Sequence, residues 1–245
     1  MDGPVFEHLA AEGPRLTVGM VTADLLHLAN ELDVLEGGGA ELVHIDVMDG
    51  VFCPMLTVGT PVVKAITGRL IKDVHLMIDD PLSKVDAFVQ AGADMLTFQI
   101  EGARQPHRVL QVLGRATNAN DPARGLIRGI AINPSTPVGA IEPLLDETDY
   151  VLVLAVNPGW GGQAYISSTD ARLDRARELI AASGRRILLG VDGGVTRDNI
   201  ARVARLGADI VVSGSAIFDG RAAAENLSFM LDQLRATARP AMVPA

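Results

Sequence analysis

The strongest constraint on this chain is an alternation that runs almost its whole length. Short apolar runs rich in β-branched residues recur, each followed by a stretch with other spacing. The runs Leu16–Met20, Leu42–Val47, Ile71–Met77, Met95–Ile100, Ile127–Ile132, Tyr150–Val156, Ile187–Val191 and Ile210–Ser213 predict buried strands. Between them, Ala23–Leu35, Pro81–Ala91, Ala171–Ala182, Arg197–Leu206 and Ala222–Ala236 carry helical spacing. The phrases Ala91-Gly92-Ala93-Asp94 and Leu206-Gly207-Ala208-Asp209 each place glycine where a helix closes in a left-handed conformation before a new strand. About eight such units with no Pro/Gly/Ser linker predict an α/β fold, a single (β/α)8 TIM barrel over residues 14–236. A doubly wound open sheet is the alternative. Its dinucleotide-binding form would carry GxGxxG after the first strand, whereas Val21-Thr22-Ala23-Asp24 follows Met20. Residues 1–13 and 237–245 lack periodicity and contain proline, so they read as an N-terminal extension and a C-terminal tail, both adaptable.

Charge and composition narrow the function. The net charge of −9 disfavours a polyanion such as nucleic acid, and one tryptophan and two tyrosines provide little for base stacking. The longest apolar stretch, Val151 to Val156, is far short of the ~20 residues that cross a bilayer, and the N-terminus has no signal-peptide run. The single cysteine, Cys53, forms no intrachain disulfide and suits a reducing compartment. A cytoplasmic protein with no nucleic-acid or membrane partner is expected.

In a barrel the chemistry sits at the C-terminal ends of the strands. Alternation along Val43-His44-Ile45-Asp46-Val47 puts His44 and Asp46 on one face. The third strand ends Asp73-Val74-His75-Leu76-Met77 and the seventh leads into Asp192-Gly193-Gly194, each adding a ligand-type side chain at the same rim. Two imidazoles and two carboxylates there suit one divalent metal ion such as Zn, Fe, Mn or Co. Singly, a strand-end histidine is a common structural residue and Asp192 could cap a turn; four together favour the metal. Glycine-rich segments at Gly159-Trp160-Gly161-Gly162, Gly193-Gly194 and Gly214-Ser215 lie where barrels hold a phosphate on backbone N–H groups.

The segments HIDVMDGVFCPMLTVGTPVVKAI, DVHLM, NPSTP, NPGWGGQAYI, VDGGV and GSAIF, in this order, resemble the ribulose-phosphate 3-epimerase family over roughly Thr17 to Phe218. The resemblance implies metal ligands at His44, Asp46, His75 and Asp192, with Asp46 and Asp192 also the two acid/base residues. It implies Met48 and Met77 lining the apolar side of the site, for which core filling is an equal reading. It also implies phosphate or substrate contacts from His75, Gly159, Trp160, Gly161, Gly162, Gly193, Gly194, Gly214 and Ser215. The expected partners are a small ketose phosphate and further copies of the chain in a homo-oligomer.

Departures concern the surroundings. Gly19 stands where the family has serine and Gln99 where it has histidine, and both are expected to line the pocket and alter sugar choice. D-ribulose 5-phosphate and D-xylulose 5-phosphate are the default pair, with another ketose phosphate such as D-allulose 6-phosphate as the alternative. A phosphate-binding barrel lyase would need a catalytic lysine, and Lys64, Lys72 and Lys84 are not at strand ends. A non-catalytic relative would have no physical reason to keep two buried anions beside two imidazoles.

Overall fold

The structure, a computed structural model, describes residues 4–11, 13–220 and 222–237. Eight parallel strands close in sequence order into a barrel: β1 (Arg15–Gly19), β2 (Leu42–Met48), β3 (Ile71–Met77), β4 (Met95–Gln99), β5 (Ile127–Ile132), β6 (Tyr150–Leu154), β7 (Leu188–Asp192) and β8 (Ile210–Ser213). Helix α1 (Val5–Ala10) precedes the barrel. The helices α2 (Leu28–Gly37), α3 (Thr60–Ala65), α4 (Val85–Gln90), α5 (Pro106–Leu113), α6 (Thr169–Ser183), α7 (Ile200–Arg205) and α8 (Ala223–Thr237) form the outer layer. The crossover after β5, Val138–Glu147, winds as a 3₁₀ helix instead; Pro143 within it has no N–H to donate to an α-helical ladder. Gly92 and Gly207 take φ of +90° and +81°, as their place before β4 and β8 predicts.

Three expected helices are shorter than their periodicity, among them α7, which starts at Ile200 after a turn at 197–199. Asp24 accepts from the Leu26 N–H at 3.0 Å and caps a separate 3₁₀ turn, so α2 starts only at Leu28. Pro81–Ser83 likewise forms its own turn ahead of α4.

Strand alternation sorts the apolar residues into two layers. Val43, Ile45, Val74, Leu76, Leu96 and their counterparts face the helices and form the outer core. Leu42, Ile71, Met95, Ile127, Tyr150, Leu188 and Ile210 fill the barrel interior, and Val5 and Leu9 of α1 pack with them, fully buried. Val5–Ala10, inside the segment expected to be an adaptable extension, is thus folded onto the barrel. Within that extension, six residues form a plug closing the N-terminal end of the barrel. Six residues are too few for periodicity to register, but two apolar side chains four apart suffice to seal the opening. Polar contacts anchor the plug: the His8 ring hydrogen-bonds Glu41 at 2.6 Å and Arg186 pairs with Glu7 at 2.8 Å. At the other end Thr237, assigned to the tail, is the last residue of α8, and the remainder of that tail lies outside the described residues.

Candidate active site

Register determines which side chains meet at the mouth. In the β2–β3 pair His44 lies across from Asp73 and Asp46 across from His75, so two rows of inward polar side chains are stacked one above the other. Asp192, the last residue of β7, reaches the same point from three strands away around the barrel. His44, Asp46, His75 and Asp192 each offer a ligand atom, all within 4.8 Å of one another. His44 Nε2 and His75 Nδ1 each lie 3.2 Å from Asp46 Oδ1 and 3.9 Å from Asp192 Oδ2.

The residues fit a metal ion by their own hydrogen-bond inventory. His44 donates from Nδ1 to Asp73 Oδ2 at 2.7 Å, which leaves the Nε2 lone pair facing the cluster. That Nε2 is buried and has no hydrogen-bond partner, a costly condition unless a cation or proton satisfies it. Sequence reading gave Asp73 no role. Its signal was there, a carboxylate two residues before His75 and hence on the same inward face, but the strand's place opposite His44 came only with the register.

Environment drives the two carboxylates apart. Burial raises Asp46, but the charge of His44, with the His75 ring also beside it, outweighs this and holds the carboxyl well below its usual range. Burial, opposed by His44 and joined by the negative charge of Asp46, pushes Asp192 up to about 6. Burial lowers His44, yet the carboxylates of Asp73 and Asp46 prevail and raise it well above an ordinary imidazole.

Above the cluster opens a solvent-open cleft of about 650 Å³, with Asp46, Asp192, Met48, Met77 and Gly19 in its wall. Gly159, Trp160, Gly161, Gly162, Gly193, Gly194, Gly214 and Ser215, the segments expected to hold phosphate, line it as well. At two of them a side chain would run into backbone atoms. A Cβ on Gly214 would stand 2.7 Å from the Gly19 carbonyl oxygen, and Gly194, at φ +66°, would bring one to 2.5 Å from the Tyr165 nitrogen. Among the described residues no lysine or arginine lines the cleft, and the backbone N–H groups of these glycine segments are the anion-binding groups it offers.

Two of the residues expected at the substrate lie below the cleft surface. Gln99 is fully buried and absent from the cleft wall, because β4 places it beneath the rim and beside His75 rather than beside a substrate. His75 is likewise fully buried and absent from the cleft wall, with its Nδ1 turned toward Asp46. Lys72 points outward from β3, where its Nζ donates to the carbonyls of Val63, Ile66 and Ala91 at the ends of α3 and α4. It is thereby engaged away from the mouth.

The ribulose-phosphate 3-epimerase family model matches residues 15–218. Ribulose-phosphate 3-epimerase 1 of Cupriavidus necator is 38% identical over 94% of this chain and 95% of its own, and the ribulose-phosphate 3-epimerase of Bacillus subtilis 37% over 83% and 92%. Among solved structures, 3-hexulose-6-phosphate synthase from Salmonella typhimurium superposes with a TM-score of 0.64 at 21% identity, covering 91% of this chain and 99% of that one. Tryptophan synthase from Mycobacterium tuberculosis reaches 0.65 at 18%, covering 95% and 97%; both likenesses concern the barrel alone. With 37–38% identity to epimerases over most of its length and the family model spanning the barrel, the chain belongs to the ribulose-phosphate 3-epimerase family and is an isomerase.

Proposed function

We propose that this epimerase is metal-dependent and interconverts D-ribulose 5-phosphate and D-xylulose 5-phosphate by two-base proton transfer at C3. The observation that carries the reading is the convergence of four acceptor groups, His44, Asp46, His75 and Asp192, at the floor of a glycine-lined cleft. Acceptors gathered this closely in a buried site call for a divalent cation, and Zn, Fe, Mn or Co all suit two imidazoles and two carboxylates.

The substrate phosphate is held by the backbone around Gly159–Gly162, Gly193–Gly194 and Gly214–Ser215, which directs the sugar carbons toward the two aspartates. One carboxylate takes the C3 proton and the other returns a proton to the opposite face; Asp46 and Asp192 exchange roles with the direction of reaction. The opposed environments of the pair suit this division, with Asp46 held ionised as base and Asp192 retaining a proton more readily as acid. A bound divalent ion supplies positive charge beside the developing enediolate oxygens, which lowers the barrier to removing so weakly acidic a proton. Met48 and Met77 cover the apolar side of the site and keep bulk water from the intermediate.

One observation favours a larger substrate as a second reading. Gly19 lies in the cleft wall, where serine would occupy space, leaving room for a hexulose phosphate such as D-allulose 6-phosphate. Incubating metal-loaded protein with both sugar classes in deuterated water tests function and substrate together. Deuterium is expected at C3 of ribulose 5-phosphate; exchange with the hexulose phosphate alone would replace the pentulose assignment, and exchange with neither would overturn the reaction.

A further inference from the structure

Gln99 was expected in the substrate pocket and instead lies under a metal ligand, and its hydrogen bonds give it a different task. We propose that Glu101 and the Ala131 carbonyl, acting through the Gln99 amide, fix the tautomer of His75. Gln99 and Glu101 are then positioning residues for the metal and not determinants of which sugar is accepted. The inference rests on reading the His/Asp cluster as a metal centre.

The chain of constraint begins at the rim. Glu101 Oε1 accepts from the Asn133 N–H at 2.7 Å and from the Thr136 hydroxyl, which ties its carboxylate to the loop after β5 and leaves Oε2 facing Gln99. Two groups on one side of the Gln99 amide, Glu101 Oε2 and the Ala131 carbonyl, can only accept. The amide NH2 therefore turns toward them, donating at 2.8 Å and 3.3 Å, and the Gln99 carbonyl oxygen turns toward His75 Nε2 at 3.2 Å. The opposite orientation would set the amide oxygen against two acceptors in a fully buried position, at the cost of unsatisfied polar atoms. An oxygen at that place accepts only if His75 Nε2 carries the proton. A neutral His75 then presents its Nδ1 lone pair to the cluster, beside Asp46 and Asp192. His44 reaches the same condition by a different route, its Nδ1–H bonded directly to the Asp73 carboxylate. The two imidazoles thus face the centre through different nitrogens, one backed by a buried anion and the other by a neutral amide whose orientation is set from the surface.

The test reads metal binding apart from turnover. Co²⁺ affinity, from competition with a chromophoric chelator, and the visible Co²⁺ spectrum are compared for the parent, Gln99→Leu, Gln99→His, Glu101→Gln and His75→Ala. Melting of each metal-free protein establishes that it is folded. Gln99→Leu keeps the volume and loses the acceptor, so affinity is expected to fall by about 10- to 100-fold with an altered spectrum. Gln99→His restores an acceptor ring nitrogen and recovers most of the loss. Glu101→Gln alters an exposed residue and leaves Gln99 and His75 themselves unchanged. Its amide oxygen must serve Asn133 and Thr136, so its NH2 faces Gln99 and drives that amide to flip, for an expected loss of about 3- to 10-fold. At saturating metal, the ratio of kcat/KM between ketose phosphates is expected to be the same in parent and all Gln99 variants. Parental Co²⁺ affinity in Gln99→Leu, with loss confined to His75→Ala, would overturn the inference and leave the metal centre standing, as would a changed sugar ratio. A parent that binds no stoichiometric Co²⁺, or binds it no better than His75→Ala, would overturn the metal reading and the inference together.

Discussion

At the floor of the barrel interior, Leu42 of β2 and Ile71 of β3 pack under Val5 and Leu9; at the mouth, the same two strands present His44, Asp46 and His75. Both regions are buried and lie within one strand length of each other. The floor is apolar apart from the buried Tyr150 hydroxyl and gains by leaving water, whereas the mouth holds carboxylates and imidazoles that lose solvation and regain it only through a partner. The floor is consequently the part that stabilises the barrel, and the mouth is where stability is given up for chemistry. Substitutions that remove one contribution without the other can break this division.

The largest effect is expected at Asp192. Asp192→Asn cannot move a proton, so turnover should fall by about 10³-fold or more, an amount typical of a lost general acid or base. Stability should respond in the opposite sense at neutral pH. The folded value near 6 is raised from the ordinary 3.8, so the folded protein binds the extra proton more tightly. The stabilisation from this carboxyl is complete below about pH 4 and lost as pH rises through 6. The metal-free Asp192→Asn variant, lacking that loss, should gain on the parent over this interval in denaturant titrations. Metal content measured beside kcat separates a lost proton carrier from a lost ligand, and near-parental turnover would remove Asp192 from the mechanism.

The converse substitution is at the floor. Leu9→Ala empties a fully buried position and should cost about 3 kcal/mol of unfolding free energy, while kcat and Co²⁺ affinity of the folded fraction stay parental. A parental melting temperature would mean that α1 does not seal the barrel; a lost metal site would mean that the two ends are coupled.

These regions also differ in how far the sequence discloses them. The strands and the four candidate ligands are legible because both follow a period of two: His44 and Asp46 on one face, and His75 and Asp192 at strand ends. Alternation tells which way a side chain points but not its height in the barrel. Gln99 accordingly reads as inward, which it is, while its depth beneath the rim depends on how far β4 is staggered against β3 and β5. Asp73 is obscure for the same reason, since its bond to His44 arises from register between strands and not from spacing within one. The plug is obscure for another. A six-residue helix gains little from intrinsic propensity, and its stability comes from tertiary burial of Val5 and Leu9 that no local pattern encodes.

A smaller effect is expected in the glycine cradle. Gly214→Ala sets a methyl group 2.7 Å from the Gly19 carbonyl oxygen and 3.0 Å from Thr22 Oγ1, so the loop after β8 must move. KM should rise about tenfold, or ~1.4 kcal/mol, with kcat changed much less, because the reacting aspartates are on other strands. An unchanged KM would place the phosphate elsewhere in the cleft.

The smallest effect, and the one that most sharpens the contrast within the mouth, belongs to Gly19. It faces Gly214 across the same gap, yet a Cβ here would meet Gly214 Cα at 3.5 Å, an ordinary contact, so Gly19→Ser fits without moving the backbone. Its hydroxyl would enter the cleft beside Asp46 and narrow the space available to the sugar. A longer ketose phosphate should then lose more than a pentulose phosphate, by about threefold in the ratio of kcat/KM, within the range that a small group in a pocket commands. Deuterium exchange at C3 should continue at the parental rate, since neither aspartate has moved. Kinetics on ribulose 5-phosphate and allulose 6-phosphate, parent against Gly19→Ser, decide the matter. A ratio unchanged within error would show that the glycine at this position leaves no mark on sugar choice, and exchange lost along with the ratio would show that β1 helps to hold the proton-transfer geometry itself.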